Sequence, residues 1–201
     1  VPVAYHTDHI KGPLTRDLLT HAIRGFRFEA EGQAVLLSPS SVSLDASELS
    51  DEENIELISI LAATAEESGR PVCLEMESAI DEGLTTKDEA ARLLGPVETK
   101  HPDAVEVWAP GLGTRHGLGG DGYPEFSVDH VRDHVNWARE ITGRNIGLAL
   151  HGSSGLSDEG LGEAARNGVV KVNWSSESLA ARSGLAKEYY ETHTEAMQKG
   201  R

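Results

Sequence analysis

The residues most able to do chemistry in this chain stand where apolar runs stop. Leu148-Ala149-Leu150 ends on His151, and Gly152-Ser153-Ser154-Gly155 follows before Leu156-Ser157-Asp158-Glu159 opens a helix. A histidine at a strand tip can ligate a metal. The small-residue loop behind it and the helix N-terminus present backbone N–H groups to an anion. The same placement recurs along the chain: Asp8 and His9, Asp45, Glu75 and Glu77, His116 and Asn173 all follow or close strand-like segments. Three imidazoles brought by three strands to one mouth, those of His9, His116 and His151, are a ligand set for a catalytic zinc with a position left open for substrate. Asp45 and Glu77 are placed to supply a second cation position or to fix the tautomers of those histidines. The compact H-E-x-x-H signature is absent from the sequence, so the ligands have to come from distant segments.

Elements that would deliver these tips can be read from periodicity and caps. Strand-like runs are Val1–Tyr5, Gln33–Leu37, Ser41–Leu44, Val72–Met76, Ala104–Trp108, the segment closing at Leu150, and Val169–Val172. Helical patterns cover Thr15–Ile23, a stretch from the capping box Ser50-Asp51-Glu52-Glu53 to about Glu67, and one from the box Thr86-Lys87-Asp88-Glu89 through Leu94. Further helices cover Val128–Ile141, Ser157 to about Asn167 with Gly168 as its stop, and roughly 177–198. Residues 25–34 read as loop. Strand and helix alternate six times, which argues for a parallel sheet with helices outside it. With polar residues gathered after the strands, the expected architecture is a (β/α)8 TIM barrel with its site at the carboxyl ends. Six units are two short of closure. The chain begins directly on strand material, Val1-Pro2-Val3-Ala4. The expectation is therefore one barrel domain over 1–201, with N-terminal units missing.

Composition narrows the partners. Acidic residues number 33 against 18 basic, for a net charge of −15. Such a balance repels nucleic acid and anionic membrane surfaces, though a local loop can still hold a small anion. No apolar run approaches the ~18 residues of a membrane span. The single cysteine, Cys73, lies in an apolar run and reads as a buried thiol in a reducing, cytoplasmic compartment. His6, three residues before His9, falls on the opposite strand face and reads as a supporting residue. His21, His101, His130, His134 and His193 read as solvated. Trp108 and Trp174 read as packing residues, and the Tyr189-Tyr190 helix as a packing face with a solvated back.

Taken together, His6-Thr7-Asp8-His9, Leu44-Asp45-Ala46-Ser47, Leu74-Glu75-Met76-Glu77, His116-Gly117, His151-Gly152-Ser153-Ser154-Gly155 and Lys171-Val172-Asn173 resemble the motifs of the class II, zinc-dependent fructose-bisphosphate aldolases. Their order and spacing cover nearly all of the chain, and the T-D-H strand is the third of eight in that family. The resemblance implies Zn2+ on His9, His116 and His151, with Asp45 and Glu77 lining an alternative position for a second cation. It implies Asp8 as the acid/base and Asn173 as a hydrogen-bonding partner of the substrate. It further implies a phosphate held by Gly117, Gly152, Ser154, Ser175 and Ser176. The activity implied is reversible cleavage of a phosphorylated ketose to dihydroxyacetone phosphate and an aldehyde through a zinc-stabilised enediolate, by a homo-oligomeric enzyme. The departures lie in the substrate pocket. Ser153 replaces a glycine of the usual HGGSG. Trp174-Ser175-Ser176 replaces an NIDT-like ending. Three readings stay open: cleavage of fructose 1,6-bisphosphate, cleavage of another ketose phosphate, and a metal-binding barrel that has lost turnover. A lysine imine on Lys171, two residues before Asn173, is a further possibility.

Overall fold

The computed structural model describes residues 4–45, 49–78, 83–117 and 126–195. In chain order its elements are β1 (His6–Ile10), α1 (Thr15–Arg24), β2 (Phe26–Ala30), β3 (Gln33–Leu37), β4 (Ser41–Leu44) and α2 (Asp51–Ser68). They continue with β5 (Cys73–Glu77), α3 (Lys87–Lys100), β6 (Val105–Ala109) and α4 (Val128–Thr142). The last are β7 (Gly147–Leu150), α5 (Asp158–Arg166), β8 (Val169–Val172) and α6 (Ser176–Thr192). Six strands form one curled sheet in the order β1-β4-β5-β6-β7-β8, every neighbouring pair parallel. This is an α/β half-barrel, with β1 and β8 at its edges among the described residues.

Alternation along the strands separates two environments. Val42, Leu44, Leu74 and Met76 face outward into the helix layer and are essentially fully buried with Ile58, Leu61, Leu94 and Trp108. Their sequence neighbours Ser43, Glu75 and Glu77 face the barrel interior, equally buried but polar. Both capping boxes form: Ser50 and Glu53 exchange side-chain and backbone hydrogen bonds at the start of α2, as do Thr86 and Glu89 at α3. No helix of the described residues is long and apolar enough to cross a membrane.

Four expectations from sequence are revised. Residues 25–34 are not loop: Phe26–Ala30 pairs antiparallel with Gln33–Leu37 in a hairpin separate from the barrel sheet. The turn uses Glu31 (φ 52°) and Gly32 (φ 75°), consecutive left-handed residues of the kind that match hairpin twist. Gln33–Leu37 is thus a hairpin arm and not a barrel strand. The first barrel strand is His6–Ile10, so the TDH segment is within the strand; residues 1–3 lie outside the described residues. α3 runs past Leu94 through Pro96 to Lys100. Proline removes one helical N–H, but buried Leu94 and Val97 pin both flanks. Finally, α6 has no buried residue, and Tyr189 and Tyr190 are exposed. The tyrosines do not form a packing face within the described chain, and residues 196–201 lie outside it.

Candidate metal centre

The site begins with a break in strand regularity. Asp8 has φ 57°, and the register between β1 and β4 shifts between His6 and His9. A left-handed aspartate is tolerated at modest cost and marks a bulge. The bulge reverses the two-residue count, so His6 does not lie on the opposite face as the spacing predicts. His6 and His9 line the same cavity, together with Asp8, and His6 Nδ1 is 2.8 Å from Ser41 Oγ.

His151 extends from the tip of β7, and its carbonyl accepts from Thr114 Oγ1 at 2.6 Å. Gly152 follows with φ 61°, and a Cβ there would lie 2.6 Å from the Arg115 carbonyl oxygen. Only glycine lets the two loops touch, and that contact carries His116 toward His151. Ring centroids are 5.0 Å apart for His9 and His151, 6.0 Å for His116 and His151, and 6.2 Å for His9 and His116. One donor atom each from His9, Glu77 and His151 lie within 4.8 Å of one another. His116 stands at the exposed side of this group.

Buried acids lie below. His9 Nδ1 is 3.3 Å from Glu77 and 3.5 Å from Asp45, and is buried without a hydrogen bond of proper geometry. His151 Nε2 is 3.5 Å from Glu75 and 3.7 Å from Glu77. Glu77 holds the His9 imidazole up, to about 9, against burial and with help from Asp8 and Asp45. Burial also pushes Glu77 up, opposed by His9 and His151. Burial works against charge on Glu75 as well, but His151 and Lys171 outweigh it and hold its carboxyl down at about 2. Lys171 Nζ is 2.7 and 2.9 Å from the two Glu75 oxygens. Asn54 Nδ2 donates to the Glu77 carbonyl at 2.8 Å, fixing the end of β5. An orphaned imidazole nitrogen among buried carboxylates suits a divalent cation: the mixed nitrogen and oxygen donors are those of zinc and its neighbours, and the cation would offset the buried negative charge.

The cavity over these residues has a volume of about 480 Å³. Asp8, His9, His116, Gly117, Gly152, Ser154, Asn173, Ser175 and Ser176 all line it, whereas Asp45 and Glu77 lie beneath. Asn173 Nδ2 is 3.4 Å from His151 Nε2, and the Asn173 carbonyl accepts from Ser153 Oγ at 2.7 Å. Glu177 N donates to Ser154 Oγ at 3.2 Å, joining the start of α6 to the loop after β7. Two aromatic and histidine readings are revised. Trp174 is 57% exposed at the cavity rim and not packed. His134 is buried, its Nδ1 2.7 Å from the His130 carbonyl and its Nε2 2.9 Å from that of Thr85. Trp108 is in the core, as expected. Segment 118–125, with most of the glycine cluster, and residues 79–82 lie outside the described residues.

A family model for class-II fructose-bisphosphate aldolases matches residues 1–200. The chain belongs to that family. A fructose-bisphosphate aldolase of Streptococcus pyogenes is 27% identical over 196 residues, covering 94% of this chain and 58% of its own length. One from Helicobacter pylori strain J99 is 30% identical over 165 residues, covering 79% of this chain and 47% of its own. The chain thus spans about half the length of the curated relatives it matches. Among solved structures, the Campylobacter jejuni fructose-bisphosphate aldolase shares the fold with a TM-score of 0.68 at 23% identity, over 96% of this chain and 58% of its own. The YdjI aldolase of Escherichia coli K12 gives 0.56 at 27%, over 75% of this chain and 50% of its own.

Proposed function

We propose that this class II aldolase-family chain carries a metal-dependent aldol-cleavage site for a phosphorylated ketose, fructose 1,6-bisphosphate or another ketose phosphate, giving dihydroxyacetone phosphate and an aldehyde. The observation behind the reading is the meeting of three imidazoles, with centroids no more than 6.2 Å apart, above two buried glutamates at the mouth of one cavity. His9, His151 and His116 would hold Zn2+, with Glu77 and Asp45 beside it for an alternative or second cation. When bound there, the ion supplies a Lewis acid that draws electron density from a ketose carbonyl.

The protein's own groups do the rest. Asp8, turned into the cavity by its left-handed backbone, takes the proton from the substrate hydroxyl. The Asn173 amide donates to the oxygen on which negative charge develops. Ser154, Ser175 and Ser176 hydroxyls, with the backbone of Gly117 and Gly152, hold the phosphate. Lys171 is unsuited to an imine: a nucleophilic amine must be neutral, and Nζ lies between both oxygens of a buried carboxylate. The exposed Leu179, Leu185, Tyr189 and Tyr190 of α6 fit a subunit interface in a homo-oligomer. The lone thiol of Cys73, which burial and then Glu106 push up to about 12, fits a reducing cytoplasm.

Elemental analysis with and without chelator, and chelator-sensitive release of triose phosphate from a panel of ketose phosphates, test the proposal. His151→Ala should lose both metal and cleavage. A metal-replete, active His151→Ala protein would contradict the ligand assignment. Metal without cleavage on any substrate would favour a barrel that has lost turnover, a reading that Trp174 and Ser175 at the phosphate-side wall support. Inactivation by borohydride with substrate, but not by chelator, would restore the imine.

A further inference from the structure

Two side chains outside the ligand set hold the end of β5 on which the centre rests. Asn54 stands on α2, in the buried stripe that continues with Ile58, Leu61 and Ala62. It is 3% exposed, and its Nδ2 donates to the Glu77 carbonyl at 2.8 Å. Its Oδ1 is buried with no hydrogen bond among the described residues. A half-satisfied buried amide costs free energy at a position where leucine would bury apolar surface without that penalty. Helix packing therefore does not account for an asparagine there. What the residue supplies is a donor for the last carbonyl of β5.

Trp108 reaches the same peptide from β6. Its indole is wholly buried, and Nε1 donates to Ser78 Oγ at 2.6 Å. Ser78 N donates to the Ala109 carbonyl at 3.1 Å. The planar unit between Glu77 and Ser78 is thus held at its oxygen by α2 and at its nitrogen by β6, with the next side chain tied to the tryptophan. A peptide held at both polar atoms resists rotation about the strand axis. Rotation there would swing the Glu77 carboxylate, which lies 3.3 Å from His9 Nδ1 and 3.7 Å from His151 Nε2. The carboxylate has a weak tether of its own, a long hydrogen bond of 3.4 Å from Ser43 Oγ to Oε1. Its aim is set by the backbone behind it.

We propose that Asn54 and Trp108 are positioning residues of the metal centre, clamping the Glu77–Ser78 peptide so that the Glu77 carboxylate stays against His9 and the divalent ion. The inference rests on the metal-dependent reading above and not on which ketose is cleaved. Its test is Zn2+ affinity, by competition with a chromophoric chelator, and the visible absorption of the Co2+-substituted protein. The variants are Asn54→Leu, Trp108→Phe and Ser78→Ala, with Leu61→Ala as a control that loosens the core of the same helix without touching the clamp. Ser78 is half-buried, so Ser78→Ala tests the clamp even where a core substitution prevents folding. Losing an outer partner of a metal ligand typically costs about 10–100-fold in metal affinity, so each clamp variant should bind Zn2+ about tenfold more weakly and shift the Co2+ bands. Trp108→Phe and Ser78→Ala remove the two ends of one hydrogen bond, so the double variant should bind no more weakly than the weaker single one. Folded Leu61→Ala should keep the parent's affinity and spectrum. Clamp variants within about threefold of the parent with its Co2+ spectrum, or a Leu61→Ala protein as weak as they are, would overturn the proposal. A parent that binds neither ion would sink the clamp and the metal-dependent reading together. The expected pattern in a protein that cleaves no ketose phosphate would sink the aldolase reading alone and leave the clamp standing.

Discussion

Lys171→Met removes the ammonium from the floor of the site and keeps most of the side-chain volume. Glu75 is 1% exposed, so its charge cannot turn to bulk water. It would retain Ser43 Oγ at 3.1 Å and His151 Nε2 at 3.5 Å, neither of which replaces a cation at 2.7 Å. Breaking a buried pair by removing one partner typically costs about 3–5 kcal/mol, because the other charge is left behind. The Lys171 side chain is 23% exposed, and cavity water can enter where Nζ was. That relief sets the expectation at the low end, about 3 kcal/mol. The second variant tests the cause. Lys171→Met with Glu75→Gln removes both charges of the pair, leaving neither unpartnered by the change, and should recover roughly 2 kcal/mol of the loss. Urea denaturation followed by far-UV circular dichroism gives both values, provided the slope with denaturant stays constant. A Lys171→Met protein within about 1 kcal/mol of the parent, or a double variant no more stable than the single one, would refute the reasoning.

Three further outcomes follow from other parts of the structure. Burial holds the pKa of His134 below the usual 6.5, against the pull of the His130 and Thr85 carbonyls. The unfolded chain therefore binds the extra proton more readily, so stability is full above pH 6.5 and declines as pH falls below it. His134→Phe should flatten that decline between pH 7 and 5 in denaturation series, and a parent–variant difference that does not change with pH would contradict it. Gly152→Ala should separate the loops that carry His116 and His151, since the added Cβ meets Arg115 backbone at 2.6 Å; an unchanged metal content and an unchanged melting temperature would show that the contact is dispensable. Gly32→Val, at φ 75° in the hairpin turn with nothing within 4 Å of a Cβ, should cost roughly 1–2 kcal/mol by backbone strain alone while metal content stays unchanged, and a loss of metal would mean that the hairpin supports the site.

What could be read from the sequence depended on whether a local rule and the tertiary environment agreed. In a parallel barrel each strand is buried on both faces, so an apolar run that ends in a polar residue marks the mouth. Asp45, Glu77, His151 and Asn173 were legible on that rule alone, and two-residue alternation put Glu75 beside Glu77. The hairpin was written in the alternation of Phe26-Arg27-Phe28-Glu29-Ala30 before Glu31-Gly32. It is hard to recognise because Phe26 and Phe28 remain exposed, so the pattern has no core behind it. His134 had a signal too: with Val131 and Ala138 it forms the buried stripe of α4, and a histidine in such a stripe is a core residue whatever its polarity. His6 is different in kind. Counting by twos from His9 fails because Asp8 takes a left-handed conformation, and no propensity announces that at an aspartate. The bulge turns the Asp8 carboxylate into the cavity and also brings a second imidazole, His6, to the same side. A regular strand would put His6 and Asp8 on one face and His9 on the other, and could not present all three to one cavity. The local rule therefore breaks at the one place in the strand where the site needs more groups than two-residue alternation can deliver.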